Sequence, residues 1–157
     1  MTLANVGCGE FYAEGWVNVD TWAGHRIDVQ GSILALPIET ASCVRVYAGH
    51  VLEHIEEEDV PAALAEIRRV LMPGGEAMLV GPDMARMRAG SVEWEQNHAG
   101  GRRWPGDEHR WHSSGARVRE LAAGIFAEVL VLPIGDVATD RWPLVSRVWW
   151  QYAVSCR

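Results

Sequence analysis

The chain contains no lysine, and all 14 of its positive side chains are arginine. That absence removes whole classes of chemistry: no Walker lysine for a nucleotide γ-phosphate, no Schiff-base lysine, no Ser-Lys dyad. Cysteine is scarce as well. Cys8, Cys43 and Cys156 are odd in number and widely scattered, with no CxxC pair. This argues against both a disulfide framework and a cysteine-built zinc site. No apolar run approaches the length that crosses a bilayer, and no basic segment followed by an apolar one opens the chain. A soluble, cytoplasmic protein with no membrane partner is the expectation. Net charge is −7, so a nucleic-acid partner is not expected either, because phosphate binding rests on neutralising positive charge.

What the chain does have is glycine punctuation and tryptophan. Its 157 residues are enough for one domain with a single core. Short apolar runs at Leu3 to Val6, Trp16 to Val19, Arg26 to Val29 and Val44 to Ala48 read as strands. The clearest helix follows, with Val60, Leu64, Ile67, Val70 and Leu71 on one face. Its first turn is acidic, its end carries Arg68 and Arg69, and Pro73-Gly-Gly75 stops it. Glu76 to Val80 is a fifth strand, closing at Gly81-Pro82-Asp83. Periodicity is then lost from about 83 to 112, which predicts a long, lid-like insertion with one helical turn near Met84 to Arg88. Ser113 or Ser114 can cap a helix through Ala123, and Ala127 to Leu132 and Ser146 to Val154 are the last strand candidates. Alternating strands and helical or turn segments predict an α/β sheet, with ligands outside the carboxyl ends of its strands.

The Gly7-Cys8-Gly9 turn, Asp20, Ser32, Gly49 and Asp83 all fall at such ends. Two glycines let a backbone turn sharply and let a ligand approach where a Cβ would block it. A carboxylate at the end of the second strand can accept from both hydroxyls of a ribose. The turn lacks a third glycine, and Asp20 comes sooner than the dinucleotide fingerprint requires, which disfavours NAD.

In order along the chain stand Asn5-Val-Gly-Cys-Gly-Glu10, Gly15-Trp-Val-Asn-Val-Asp20, Leu36-Pro37, Gly49-His-Val-Leu-Glu-His54 and Arg69-Val-Leu-Met-Pro-Gly-Gly75. His109-Arg-Trp111 ahead of a helix and Gly124-Ile-Phe126 continue the series. The chain thereby resembles the class I S-adenosylmethionine-dependent methyltransferases, in their small-molecule branch, over nearly its whole length to about residue 130. The resemblance implies a Rossmann-like sheet, mostly parallel with a C-terminal antiparallel strand and shortened at the N-terminus. It implies S-adenosylmethionine as cofactor. Val6, Gly7, Cys8 and Gly9 would hold the methionine portion, Asp20 the ribose, Ser32 and Ile33 the adenine border. Gly49, His50 and Val51 would lie beneath the sulfonium. The interval from Gly9 to Asp20 is too short for the family's usual first helix, so a more open pocket is expected.

Catalytic candidates are His109, His54 and Asp83. His109 titrates near neutral pH and can take a proton from a hydroxyl or amine; the other reading is packing against Trp111. His54 reads equally as a histidine satisfied beneath the loop, and Asp83 ends the fifth strand at the same cleft. Glu53 is either a site carboxylate or a charge favoured at a helix start. Trp94, Trp104 and Trp111 are candidates to roof the pocket. Seven arginines between Arg86 and Arg119 suit a phosphate or carboxylate on the substrate if they converge. The expected partner is therefore a small molecule, acidic if they do. Two other readings stand beside methyl transfer. One is a domain that binds S-adenosylmethionine or a partner without turnover. The other is a zinc hydrolase, because His50-Val-Leu-Glu-His54 spells H-x-x-E-H, which needs one continuous helix through both histidines; on balance no metal is expected.

Overall fold

A computed structural model describes residues 1–98 and 106–157. Seven strands, β1 (Thr2–Val6), β2 (Val17–Asp20), β3 (Val29–Gln30), β4 (Cys43–Gly49), β5 (Leu71–Pro82), β6 (Val129–Leu132) and β7 (Gln151–Cys156), form one sheet. Their order is β3-β2-β1-β4-β5-β7-β6. All pairings among β1 to β5 are parallel; β7 runs antiparallel to both β5 and β6. The expected sheet is thus present. The order reverses direction between β1 and β4, and a crevice opens at the carboxyl ends of strands at such a switch.

Alternation along the strands sends two sets of side chains to opposite faces. Ala4 and Val6 of β1, Val46 and Ala48 of β4, Ala77 and Leu79 of β5, and Tyr152 and Val154 of β7 join one core. Helices α1 (Val60–Val70) and α3 (Gly115–Ala122) complete it with Val60, Ala63, Leu64, Ile67, Val70, Val118 and Ala122. Those α1 residues recur at three and four positions, the stripe that makes an isolated amphipathic segment helical once it is packed. Pro61 sits in the first turn, where its missing N–H costs nothing. Ser114 caps α3 by accepting from the Arg117 N–H.

The other face is covered differently. Tyr47, Met78, Val80 and Ala153 pack against Ala13, Trp16, Ile134, Val137, Trp142 and Val145, none of which is in an α-helix. The segment 133–150 thus lies over the sheet, with Trp142 fully buried and 6.3 Å from Trp16. It occupies a face that β-α-β crossovers ordinarily cover with helices.

The crossover from β1 to β2 contains no helix. A loop that folds back on a sheet must satisfy its own backbone groups, and two buried asparagines do so here. Asn18 Oδ1 accepts from the Ala13 N–H at 2.8 Å and from Asn5 Nδ2 at 2.9 Å. Asn18 Nδ2 donates to the carbonyls of Ala13 and Trp16, and Asn5 Nδ2 donates to Phe11 O.

Four segments depart from expectation. β3 is only Val29–Gln30, because Arg26 and Asp28 face outward to Glu14 and Tyr12. β5 begins at Leu71 instead of Glu76, its pairing with β4 jumping from Cys43↔Leu71 to Arg45↔Glu76 while 72–75 bulge out. Residues 84–88 form turns, and the helix of the insertion lies later, at α2 (Val92–His98). Residues 146–150 are turn and coil, so β7 starts at Gln151. Among the described residues no helix is long and apolar enough to cross a membrane.

Candidate active site

A cavity of about 650 Å³ opens at the switch between β1 and β4. Its floor is the turn after β1 and the turn after β4. Gly7 has φ +66° and Gly9 φ +50°, the left-handed region in which a side chain is strained. A Cβ at Gly7 would lie 2.4 Å from a Val51 methyl, whereas one at Gly9 would meet nothing within 4 Å. The first glycine is there so that the two turns can pack together; the second leaves open space. The loop's N–H groups are already engaged: Gly7 and Cys8 donate to Val19 O, and Gly9 donates to Asp20 Oδ2 at 2.9 Å. Asp20 Oδ1 accepts from the Trp22 N–H at 2.9 Å. The carboxylate is thereby fixed at the end of β2, with a lone pair left on each oxygen.

The turn after β4 is strained in its own way. Among the described residues His50 is one of two non-glycine residues with positive φ, at +54°. Such outliers persist where the surroundings over-determine them. Its N–H donates to Val80 O at 2.8 Å, its Nδ1 faces Glu53 Oε1 at 3.1 Å, and its Nε2 meets Gln151 Nε2 at 2.6 Å. An amide nitrogen only donates, so His50 Nε2 is the acceptor and Nδ1–H donates to Glu53. The helical turn itself spans only Leu52–His54. A continuous helix through His50 and His54 is absent, and with it the geometry of the zinc-hydrolase motif.

Glu53 is completely buried. Burial alone would raise its pKa, but the His50 hydrogen bond and the neighbouring His50, His54 and His109 bring it net below the usual carboxylate range. Its second oxygen, Oε2, has no hydrogen-bond partner. The Arg110 N–H donates to Glu53 O at 2.8 Å and Trp111 Nε1 donates to Leu52 O at 2.9 Å. These two bonds lay the segment 108–111 against the turn and place His109 beside His54, ring centroids 4.8 Å apart. His109 Nδ1 lies 2.5 Å from Asn97 O, and His54 Nδ1 lies 3.2 Å from Glu108 O. Carbonyls only accept, so both rings carry their proton on Nδ1 and leave Nε2 unprotonated. Burial, ahead of the opposing pull of Glu53, lowers the His109 pKa.

Of the ten cofactor candidates, Gly7, Cys8, Gly9, Gly49 and His50 line the cavity. Asp20 sits one hydrogen bond beyond it. Val6 and Ile33 are in the core, Val51 packs beneath Gly7, and Ser32 accepts from the Leu34 N–H on the open side. His54 and His109 line the cavity; Asp83 does not. Asp83 lies beside the start of α3, buried at the end of β5; burial raises its pKa, and Oδ1 has no hydrogen-bond partner.

Trp94 stacks edge-on with His112 and Trp111 braces Leu52, so neither roofs the cavity; Trp104 lies outside the described residues. The apolar walls are Phe11, Leu144, Val148 and Trp150. No described arginine lines it, and Arg110 and Arg117 instead face Glu56 and Glu57 on the surface. The charged lining is Glu10, Glu95 and Asp107. The expectation of an acidic substrate therefore loses its basis among the described residues. Sequence reasoning missed Asn5, Tyr47, Asn97 and Gln151. Gln151 reaches His50 from 101 positions away, and no local pattern signals such a contact.

Residues 5–79 match a family model described as a methyltransferase domain. No curated protein matches the chain in sequence. Among solved structures, the chain is similar to an S-adenosylmethionine-dependent methyltransferase from Archaeoglobus fulgidus, with TM-score 0.68 at 11% identity over 99% of this chain and 85% of that one. A geranyl diphosphate methyltransferase in complex with S-adenosylmethionine gives TM-score 0.60 at 15% identity, over 99% and 76% of the two chains. The [4+2]-cyclase SpnF gives TM-score 0.60 at 16% identity, over 99% and 73%. At these identities the likeness is one of fold, and the cyclase illustrates that a shared fold hosts different chemistries. Residues 5–79, from β1 into β5, thus match a methyltransferase domain, and the sheet order, crevice and glycine turn agree with the fold of S-adenosylmethionine-dependent methyltransferases.

Proposed function

We propose that the protein transfers a methyl group from S-adenosylmethionine to a small-molecule acceptor bearing a hydroxyl or amine. The observation that carries this reading is the cavity at the β1/β4 switch, lined by Gly7, Gly9 and Gly49 and by His54 and His109, which cluster with the buried Glu53. The residues present fit the cofactor. Gly9 offers open space where a Cβ would intrude, and Asp20 stands fixed at the end of β2 with acceptor capacity to spare. When bound, S-adenosylmethionine supplies a methyl carbon already activated by a sulfonium.

The protein's task is then orientation and water exclusion. Gly7 to Gly9 and Gly49 let the ligand approach the backbone. Asp20 takes the ribose. Phe11, Leu144, Val148 and Trp150 form the dry wall against which the acceptor lies, and the acceptor's proton leaves at the histidine cluster.

Calorimetric titration with S-adenosylmethionine and with its demethylated product tests the cofactor claim, and binding of neither refutes it. Mass spectrometry of a panel of small hydroxyl and amine compounds tests transfer. Tight cofactor binding with no methylated product would favour a domain that binds without turnover.

A further inference from the structure

We infer that Glu53, His54 and His109 form a binding site for a divalent first-row transition ion at the cavity wall. One ligand atom from each of the three lies within 4.8 Å of the others. Three observations, each independent of the others, support the site.

The first is the tautomer of both histidines. His54 and His109 each direct Nδ1–H to a backbone carbonyl, Glu108 O and Asn97 O. This is the arrangement in which a carbonyl behind the ring fixes Nε2 as the unprotonated nitrogen and orients it toward a metal. The second is the unpartnered oxygen. Glu53 is fully buried, His50 occupies Oε1, and Oε2 has no partner. An ionised carboxylate oxygen left unpaired inside a protein is costly, and a cation beside it removes that cost. The third is local charge. No described arginine lines the cavity, and no described guanidinium pairs with the Glu53 carboxylate in place of an ion.

His50 is not part of the donor set. Both its ring nitrogens are engaged, by Glu53 and by Gln151, and it holds the carboxylate in place. The donors therefore differ from those of the zinc-hydrolase motif, which would use His50.

Two imidazoles and one carboxylate, with no thiolate, suit zinc, iron(II), cobalt or manganese better than calcium or magnesium. With bonds of about 2.1 Å, tetrahedral donors stand about 3.4 Å apart. The imidazoles must therefore shift inward by roughly an ångström, within the reach of side-chain rotation. His54 and His109 line the cavity, so the ion's remaining positions are open to it, as in catalytic centres. On the methyl-transfer reading, His54 and His109 then serve as ligands and not as the proton acceptor, and an acceptor hydroxyl bound to the ion would lose its proton to solvent water more readily. That consequence rests on the proposed function; metal binding itself does not.

The test uses full-length protein freed of metal with chelator and dialysed. Calorimetric titration with ZnCl2 should give one saturable equivalent. Cobalt(II) should give visible d–d bands without a near-ultraviolet thiolate charge-transfer band. His54→Ala and His109→Ala should each weaken zinc binding at least tenfold, while His25→Ala, outside the cluster, leaves it unchanged. Circular dichroism and melting of each metal-free variant confirm folding. Glu53→Gln is a further ligand variant, but its buried position makes the two histidine variants the decisive ones. Absence of a saturable equivalent, a thiolate band, or binding undiminished in both histidine variants overturns the proposal. S-adenosylmethionine titrated into the same metal-free protein separates the two readings. Cofactor binding without zinc binding sinks the metal site alone, and zinc binding without cofactor binding sinks the methyltransferase reading alone.

Discussion

Alanine at Gly7 and alanine at Gly9 differ by one methyl placement, and the structure assigns them opposite consequences. Both positions have left-handed φ, +66° and +50°, so either substitution carries a backbone strain of about 1–2 kcal/mol. At Gly9 nothing further is added, because no atom lies within 4 Å of the new Cβ. At Gly7 the new methyl would stand 2.4 Å from Val51 Cγ2 and 2.6 Å from Val51 Cβ. Rotating the valine moves Cγ2 but leaves its Cβ where it is, so the backbone of one turn must give way. Overpacking of that kind costs about 1–3 kcal/mol, bringing Gly7→Ala to about 2–5 kcal/mol. For a domain of this size each kcal/mol lowers Tm by about 2–4 °C. Gly7→Ala should therefore melt roughly 4–20 °C below the parent, and Gly9→Ala about 2–8 °C below it. In cofactor titration the weights are reversed. Gly9→Ala projects a methyl into the space proposed for S-adenosylmethionine and should weaken binding at least tenfold, about 1.4 kcal/mol. Urea unfolding and calorimetry on both variants make the comparison. Equal stability of the two would refute the Val51 contact. Undiminished binding by Gly9→Ala would remove the cofactor from this loop.

Three further outcomes are expected. Asp20→Asn sets an amide NH2 against either the Gly9 or the Trp22 N–H, and should cost about 1–3 kcal/mol in urea unfolding together with tenfold or more in cofactor affinity; unchanged affinity would detach Asp20 from the ribose. Cys8, whose thiol is pushed up to about 11 chiefly by burial and then by Asp20, should resist iodoacetamide at pH 8, where only about 0.1% is thiolate; rapid alkylation of Cys8, read by peptide mass, would contradict the burial. In chelator-treated protein, the lowered pKa of His109 means that the unfolded chain binds the proton more readily than the folded one. Stability should be full above the unfolded value near 6.5 and fall as pH drops through it. Urea midpoints between pH 7.5 and 5.5 should show this slope, and His109→Gln should flatten it.

The parts of the fold legible in the sequence are those in which a local rule and the tertiary structure agree. Helix α1 combines an apolar stripe, an acidic lead-in and a first-turn proline, so its local preferences point the same way; the expected Pro73-Gly-Gly75 stop falls instead in the bulge of β5, because the helix already ends at Val70. The glycine turn and Asp20 are likewise local, each marked by residue type at a strand end. β3 failed for the opposite reason. Arg26-Ile-Asp-Val29 has strand composition, but its charged side chains found partners on the surface, and two residues of pairing remain. The segment 133–150 could not be read as the cover of a sheet face, because Trp142, Val137 and Val145 carry no period; their role comes from the face that lacks helices.

The site divides along the same line. Gly7, Gly9 and Gly49 line the cavity where they were expected at strand ends, and at Gly7 and Gly9 the left-handed backbone selects the residue type. The cluster was not legible, although His50, Glu53 and His54 lie in one pentapeptide. As a metal motif the pentapeptide pairs His50 with His54 on one helix, and that geometry is absent. His50 in a left-handed conformation turns away to Gln151 and orients Glu53, and the second imidazole comes from His109, delivered by backbone bonds from Arg110 to Glu53 and side-chain bonds from Trp111 to Leu52. The same three letters therefore encode a different donor set, which depends on contacts between residues more than fifty positions apart. A single backbone angle at His50 decides between the two. Replacing His50 by alanine should leave the Nε2 atoms of His54 and His109 in place but release Glu53 Oε1, so zinc affinity should weaken less than in either ligand variant. A loss equal to theirs would place His50 among the ligands and return the pentapeptide to its helical reading.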